Sequence, residues 1–366
     1  MKRVRPPIPA STIWLPLPNV PPRLAEAAAW AARAAARRGR RDESEEREPY
    51  GIKLRRFAGP DAYRHGMAHL RVAHLTDLHV GRVTPMAVQH AAVAMANAEK
   101  PDLVVLTGDF VCHSQLYLDQ LQEVVRGFKA PTVAVLGNHD YWSGADEVER
   151  ALRAAGVEVL RNRNTTLTLR HERLQIVGLD DAYTGHARRD EATKGLRRDI
   201  PTLGLSHIAE EADGLWRHRV PLVLAGHTHG GQVTLARLHE LTLGKIGGHK
   251  YLHGLYGSRK AIGHGPGHGH GPDEHLLPPP AEGEAQGAVY VGAGIGAAVM
   301  PLRIGDRGKR EVTIFELGAE AGTFDEHHEE QEALPGRKPS QAKMAKRAAA
   351  VIRKRLLRER RTRDAG

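Results

Sequence analysis

The chain has 366 residues, 41% of them hydrophobic, enough for one large or two ordinary domains with a buried core. Its single cysteine, Cys112, excludes an internal disulfide framework and suits a reducing compartment. The formal charge of +10 suggests an anionic partner, but the excess Lys and Arg gather in the two tails, so the charge bears on tethering more than on chemistry.

The start, Met1-Lys2-Arg3-Val4-Arg5, is basic, but Pro6, Pro7, Pro9, Pro16 and Pro18 interrupt any apolar h-region, and no signal peptide is expected. No stretch approaches the run of about 20 apolar residues that a spanning helix needs. The expected location is therefore cytoplasmic, at most peripheral on the inner membrane surface. Residues 1–67 read as a Pro/Ala/Arg-rich appendage with a helix from about Arg23 to Arg40. Arg33, Arg37, Arg38, Arg40 and Arg41 gather at its C-terminal end, where cations suit the helix dipole. A solvated helix and a membrane or partner anchor both fit this pattern.

From residue 68 to 318 a short apolar run repeatedly ends in Gly or in polar side chains, and a loop or helix follows. The runs are Leu70–Leu75, Leu103–Leu106, Thr132–Leu136, Leu174–Val177, Thr202–Leu205, Pro221–Leu224, Ala288–Val291 and Val312–Leu317. Six of these eight end in Asp, Asn or His: Asp77/His79, Asp109, Asn138/His139/Asp140, Asp180/Asp181, His207 and His227/His229. In α/β sheets, sites form beyond the carboxyl ends of strands, so these ends are expected to converge on one place.

Within this region, about 261–287 is a Gly/Pro-rich insertion carrying His264, His268, His270 and His275. It reads as a flexible surface segment, with a secondary metal-binding tract as the other reading. Residues 319–366 form a charged tail that ends in a basic amphipathic helix from about Ser340 to Arg363. Contact with anionic lipid or nucleic acid, or no contact, fits that helix.

The chemistry centres on Gly137-Asn138-His139-Asp140. Asn offers a neutral oxygen to a hard cation, His exchanges a proton near neutral pH, and a neighbouring Asp can hold the imidazole in one tautomer. Gly137 is expected to permit a sharp turn. In Asp77-Leu78-His79 the i, i+2 spacing places a carboxylate and an imidazole on one side. Gly108 allows the backbone to approach the charge of Asp109 closely. In Gly226-His227-Thr228-His229-Gly230-Gly231-Gln232 two imidazoles framed by glycines can diverge to two neighbouring cations. With His207 the set is four His, two Asp and one Asn, without thiolate, which suits Mn, Fe or Zn. Seven ligands exceed one tetrahedral ion but fit two ions about 3.5 to 4 Å apart.

The ordered blocks Asp77-x-His79, Gly108-Asp109, Gly137-Asn138-His139-Asp140, His207 and Gly226-His227-x-His229 resemble the signature of calcineurin-like metallophosphoesterases. The bacterial phosphodiesterase subgroup with Gly-His-Thr-His-Gly-Gly-Gln is the most similar, with Gly254-Leu255-Tyr256 and Val291-Gly292-x-Gly294-Ile295-Gly296 downstream. The resemblance implies a four-layer α/β/β/α sandwich of two mixed sheets. It implies one metal on Asp77, His79 and His229, a second on Asn138, His207 and His227, and Asp109 between them. It further implies His139 as the acid facing the leaving group, oriented by Asp140. The chain departs from the subgroup at His207-Ile208-Ala209, where His-Asn-Pro is usual, and after Gln232, where Pro is missing.

The ligand set predicts a dinuclear phosphoesterase in which two cations neutralise the phosphoryl oxygens and activate a bridging hydroxide, and the resemblance implies phosphodiesters or pyrophosphates as substrates. Asn138 also faces the substrate in this reading, and Arg303 is a candidate phosphate contact. The expected partner is a phosphoester, lipid-linked or a nucleotide-sugar, reached at a membrane surface through the basic tails. A catalytically silent metal-binding scaffold and a nuclease are the alternatives. A scaffold needs no leaving-group acid, and the catalytic region has no basic strip interleaved with aromatic residues, so nucleic acid fits less well.

Overall fold

The computed structural model describes residues 49–64, 66–112, 114–231, 248–257, 287–297, 303 and 308–319. The expected helices near 23–40 and 340–363 lie outside the described residues, as does the His-rich segment apart from Gly287. The chain divides into the units Met1–Arg47 and Glu48–Gly366, and all described residues belong to the second.

All eight apolar runs form strands. The first sheet has the order β1-β12-β2-β3-β4-β5, from β1 (Ile52–Ala58), β2 (Leu70–Leu75), β3 (Leu103–Thr107), β4 (Thr132–Val135), β5 (Glu158–Val159) and β12 (Arg310–Leu317). The second has the order β10-β11-β9-β8-β7-β6, from β6 (Arg163–Leu169), β7 (Glu172–Gly178), β8 (Thr202–Leu205), β9 (Leu222–Ala225), β10 (Gly254–Tyr256) and β11 (Ala288–Val291). Both sheets are mixed. In the first, β2, β3 and β4 are parallel while β12 runs antiparallel to β2. In the second, β7, β8, β9 and β11 are parallel, with antiparallel β6 and β10 at the edges.

Period-two alternation sorts each strand between two cores. Val72, Leu103, Val105 and Val133 point between the sheets, where they meet Ile176, Leu203, Leu205, Leu222 and Leu224. The intervening Ala73, Val104, Leu106 and Ala134 face outward under α1 (Met86–Ala98), α2 (Leu118–Arg126) and α4 (Ala145–Ala154). On the other side Val177, Val223 and Val289 pack beneath α5 (Arg189–Ala192) and α6 (Ala212–Trp216). This is the expected four-layer sandwich. Strands buried on both faces read as continuous apolar runs, which is why the central ones were legible.

The boundary expected at residue 67 moves towards the N-terminus. Residues 52–58 pair in parallel with β12, from Ile52 against Arg310 to Ala58 against Glu316. The edge strand Ile-Lys-Leu-Arg-Arg-Phe-Ala carries enough charge to look like appendage, yet Phe57 is buried between the sheets. Polar edge strand β6 escaped notice for a similar reason.

Candidate metal centre

Asp77, His79, Asp109, His207, His227 and His229 all follow strand ends, and five of them leave the strand through a left-handed residue. The φ angles are 50° at Asp77, 43° at His79, 57° at Asp109, 76° at His227 and 52° at His229. Such angles are strained for residues with a Cβ and recur where function fixes the backbone. Asp77 and His79 thus reach the site through a turn and not by strand pleat. Gly137, expected to supply the sharp turn, has an unstrained φ of −112°. Its requirement is space, because a Cβ there would strike the Asp109 carboxylate and backbone.

These turns bring the side chains into two groups that share one carboxylate. Asp77, His79, Asp109 and His229 form the first, and Asp109, His207 and His227 the second. In the first, His79 Nε2 lies 3.0 Å from His229 Nε2 and 3.5 Å from Asp109 Oδ2. His229 Nε2 lies 3.3 Å from Asp77 Oδ1. In the second, His207 Nε2 lies 3.4 Å from the same Asp109 Oδ2, 3.2 Å from Asn138 Oδ1 and 3.3 Å from His227 Nδ1. The two histidines of His227-x-His229 therefore divide between the groups.

The residues fit divalent cations. Asp77 Oδ2 accepts hydrogen bonds from Thr76 Oγ1 and from the His227 backbone N–H, whereas its buried Oδ1 has no hydrogen-bond donor and faces the imidazoles. Asp109 Oδ1 accepts the His139 backbone N–H at 2.8 Å, leaving Oδ2 between the groups. His207 Nδ1 donates to the Thr107 carbonyl at 2.7 Å, which turns the Nε2 lone pair towards Asp109 and Asn138. Lone pairs converging from several sides want a cation at their centre.

Electrostatics agrees. Burial drives the imidazoles of His79 and His227 well below their ordinary pKa, and lowers that of His229. Burial also opposes charge on His207, but the Asp109 carboxylate and its hydrogen bond outweigh this and raise the imidazole to about 10. Asp109, although buried, is held well below the carboxylate range chiefly by His207.

His139 is 13% exposed at the mouth, with Nε2 4.0 Å from Asp109 Oδ2. Asp140, expected to orient it, uses both oxygens elsewhere. Oδ2 accepts the N–H groups of Asp109 and Gly137, each at 2.9 Å, and Oδ1 those of Phe110 at 2.8 Å and Val111 at 3.3 Å. Burial, with the Asp109 charge nearby, pushes this carboxyl up to about 8 against the pull of those donors. Asp140 clamps the turns that carry Asp109 and Asn138.

Arg303, expected at the phosphate, is also committed. It donates from Nη1 to the carbonyls of Ala293 (2.7 Å) and Gly308 (3.1 Å), and from Nη2 to that of Gly296 (2.5 Å), while Nη2 lies 3.5 Å from His229 Nδ1. Burial and Arg310 lower its pKa to about 10. The side chain braces the loop behind His229. Sequence reasoning missed the rings beside the cluster: Trp142 on His139, Tyr183 and His249 on His227. Only Trp142 carried a signal, its i+3 spacing from His139.

Residues 70–231 match the sequence profile of the family described as calcineurin-like phosphoesterase. Over that stretch the chain is similar to that family. Phosphodiesterase YaeI of Escherichia coli (strain K12) is 29% identical over 184 residues, covering 49% of this chain and 67% of that protein. The uncharacterized metallophosphoesterase YkuE of Bacillus subtilis (strain 168) is 27% identical over 262 residues, covering 69% and 80%. The solved structure of TT1561 from Thermus thermophilus shares 16% identity at a TM-score of 0.35, covering 44% of this chain and 83% of that one. The match over residues 70–231 and the paired ligand groups support a phosphoesterase hydrolase with a candidate dimetal site. No helix among the described residues is long and apolar enough to cross a membrane.

Proposed function

We propose that the chain is a dinuclear metal-dependent phosphodiesterase or pyrophosphatase of the Gly-His-Thr-His-Gly-Gly-Gln subgroup. The observation that carries this reading is the position of Asp109 Oδ2, 3.5 Å from His79 Nε2 on one side and 3.4 Å from His207 Nε2 on the other. Asp77, His79 and His229 would hold one ion and Asn138, His207 and His227 the other, with Asp109 shared. The mixed nitrogen and oxygen set suits Mn, Fe or Zn. When bound, two such ions supply charge against the phosphoryl oxygens and lower the pKa of water.

His139 Nε2, at the mouth, donates its proton to the leaving oxygen, which would otherwise depart as a costly alkoxide. Asn138, next to it, would help hold the second ion and would offer its amide to the phosphoryl group. Asp140 acts by position, holding the Asp109 turn. The name of the Escherichia coli relative favours a diester, and the basic tails suit a lipid-linked or nucleotide-sugar substrate at the inner membrane surface of the cytoplasm. In this reading residues 261–287 remain an insertion within the catalytic region and 319–366 a charged tail.

Hydrolysis of bis-p-nitrophenyl phosphate beside p-nitrophenyl phosphate, with metal-stripped protein reloaded with Mn, Zn or Mg, tests the proposal. Faster diester turnover with Mn is expected. Absence of turnover with every metal, in protein shown to bind two ions, would favour the scaffold.

A further inference from the structure

Asp180 and Asp181 stand at the end of β7 among the converging strand ends, yet neither belongs to a ligand group. Each instead fixes an element beside the ligand groups. Buried Asp181 accepts the backbone N–H groups of Tyr183 at 3.2 Å and Thr184 at 2.7 Å, which sets the turn that presents the Tyr183 ring. Asp180 accepts the Tyr141 hydroxyl and, at 3.0 Å, Arg161 Nε, which ties α3 (Asn138–Ser143) to the second sheet. On α3, His139 and Trp142 are three residues apart and share a face.

The result is a continuous aromatic wall. Ring centroids are 4.7 Å apart for His139 and Trp142, 6.1 Å for Trp142 and Tyr183, and 5.0 Å for Tyr183 and His227. The wall runs from the proposed leaving-group acid to a proposed ligand of the second ion. Trp142 and Tyr183 are both partly exposed, so the wall can be reached from solvent.

We infer that Trp142 and Tyr183 form a leaving-group subsite that takes a flat aromatic group, an aryl ring or a nucleobase, beside His139. This rests on the phosphoesterase reading, which puts His139 on the leaving-group side. Two aromatic rings offer π-faces to a flat partner, and one base–aromatic stack changes affinity by about five- to a hundredfold. An alkyl group would gain from apolar area alone and would not distinguish Trp from Leu.

The test uses the full chain reloaded with metal and two diesters whose leaving groups are similarly acidic, methyl phenyl phosphate and methyl hexafluoroisopropyl phosphate. Trp142→Leu is expected to lower kcat/KM for the phenyl ester about tenfold more than for the fluoroalkyl ester, mainly through KM, with Trp142→Phe restoring most of the difference. Tyr183→Leu should show the same selectivity and provides a second variant should Trp142→Leu not fold. Calorimetric binding of phenylphosphonate against methylphosphonate reads the subsite without turnover, and the phenyl preference should fall about tenfold in either Leu variant. Parallel losses for both esters, or an undiminished phenyl preference, would overturn the subsite. If the wild type hydrolyses neither ester with any metal, the phosphoesterase reading fails, and the phosphonate comparison still decides whether the wall binds flat groups.

Discussion

The Asp140 carboxylate accepts the backbone N–H of Asp109 at 2.9 Å, so the residue next to His139 in sequence holds the residue shared by both ligand groups. Asp140→Asn would turn an amide NH2 towards backbone donors and leave at least one of four N–H groups without an acceptor. A lost buried acceptor costs about 1–3 kcal/mol, and loss of a group supporting metal ligands lowers metal affinity about 10–100-fold. Metal titration and thermal unfolding of Asp140→Asn should both show these losses. Wild-type metal affinity with only kcat reduced would return Asp140 to the role of orienting His139.

Asp109 and His139 should separate binding from chemistry. Asp109→Ala removes the only side chain common to both groups and is expected to lose both metals and all hydrolysis. His139→Ala should keep the metals and lose about 10²–10⁴-fold in rate with poor leaving groups, and far less with p-nitrophenolate. Metal content by elemental analysis beside a leaving-group series checks both. Metal loss in His139→Ala would contradict its assignment as the acid.

The convergence of Asp77, His79, Asp109, His207, His227 and His229 was legible because each follows an apolar strand, and strand ends converge whatever their separation in sequence. The hydrogen bonds of Asp140 and Arg303 were not, because both side chains bond to backbone groups that only the folded turns bring within reach. Tyr183 lies in a turn with no periodic pattern, so only the fold places it beside His227. Strand β1 was hidden by Lys53, Arg55 and Arg56. Arg55 is tolerated because Glu311, diagonal to it on the neighbouring strand β12, accepts its Nε at 2.7 Å.

The left-handed φ of 52° at His229 gives a test of stored strain. This conformation costs a residue with a Cβ roughly 1–2 kcal/mol, while the greater unfolded-state entropy of glycine offsets about 0.4–1 kcal/mol of that. His229→Gly and His229→Ala remove the same ligand. In metal-free protein the Gly variant should therefore be more stable than the Ala variant, by about 1 kcal/mol in chemical denaturation. Equal stability, or the reverse order, would mean that the turn carries no strain.

Glu311, fully buried behind the Gly292–Gly296 loop, accepts hydrogen bonds from Arg55, His253, the Tyr290 hydroxyl and the Ala293 N–H, and Arg303 lies close enough to add favourable charge. Burial alone would raise its pKa, but His253, Arg55 and the Ala293 N–H outweigh burial and hold it far below the ordinary carboxylate range. A depressed folded-state pKa gives stability that is present above the unfolded value, about 4.3, and lost as pH falls through the lower folded value. Glu311→Gln leaves Arg55 facing an uncharged partner and is expected to cost about 3–5 kcal/mol at pH 7. In metal-free protein this gap between wild type and variant should shrink steadily as pH falls below about 4.3. A gap that stays constant from pH 7 to about 2.5 would show that the Glu311 charge does not contribute to stability. A gap that widens as pH falls below about 4.3 would contradict the direction of the shift.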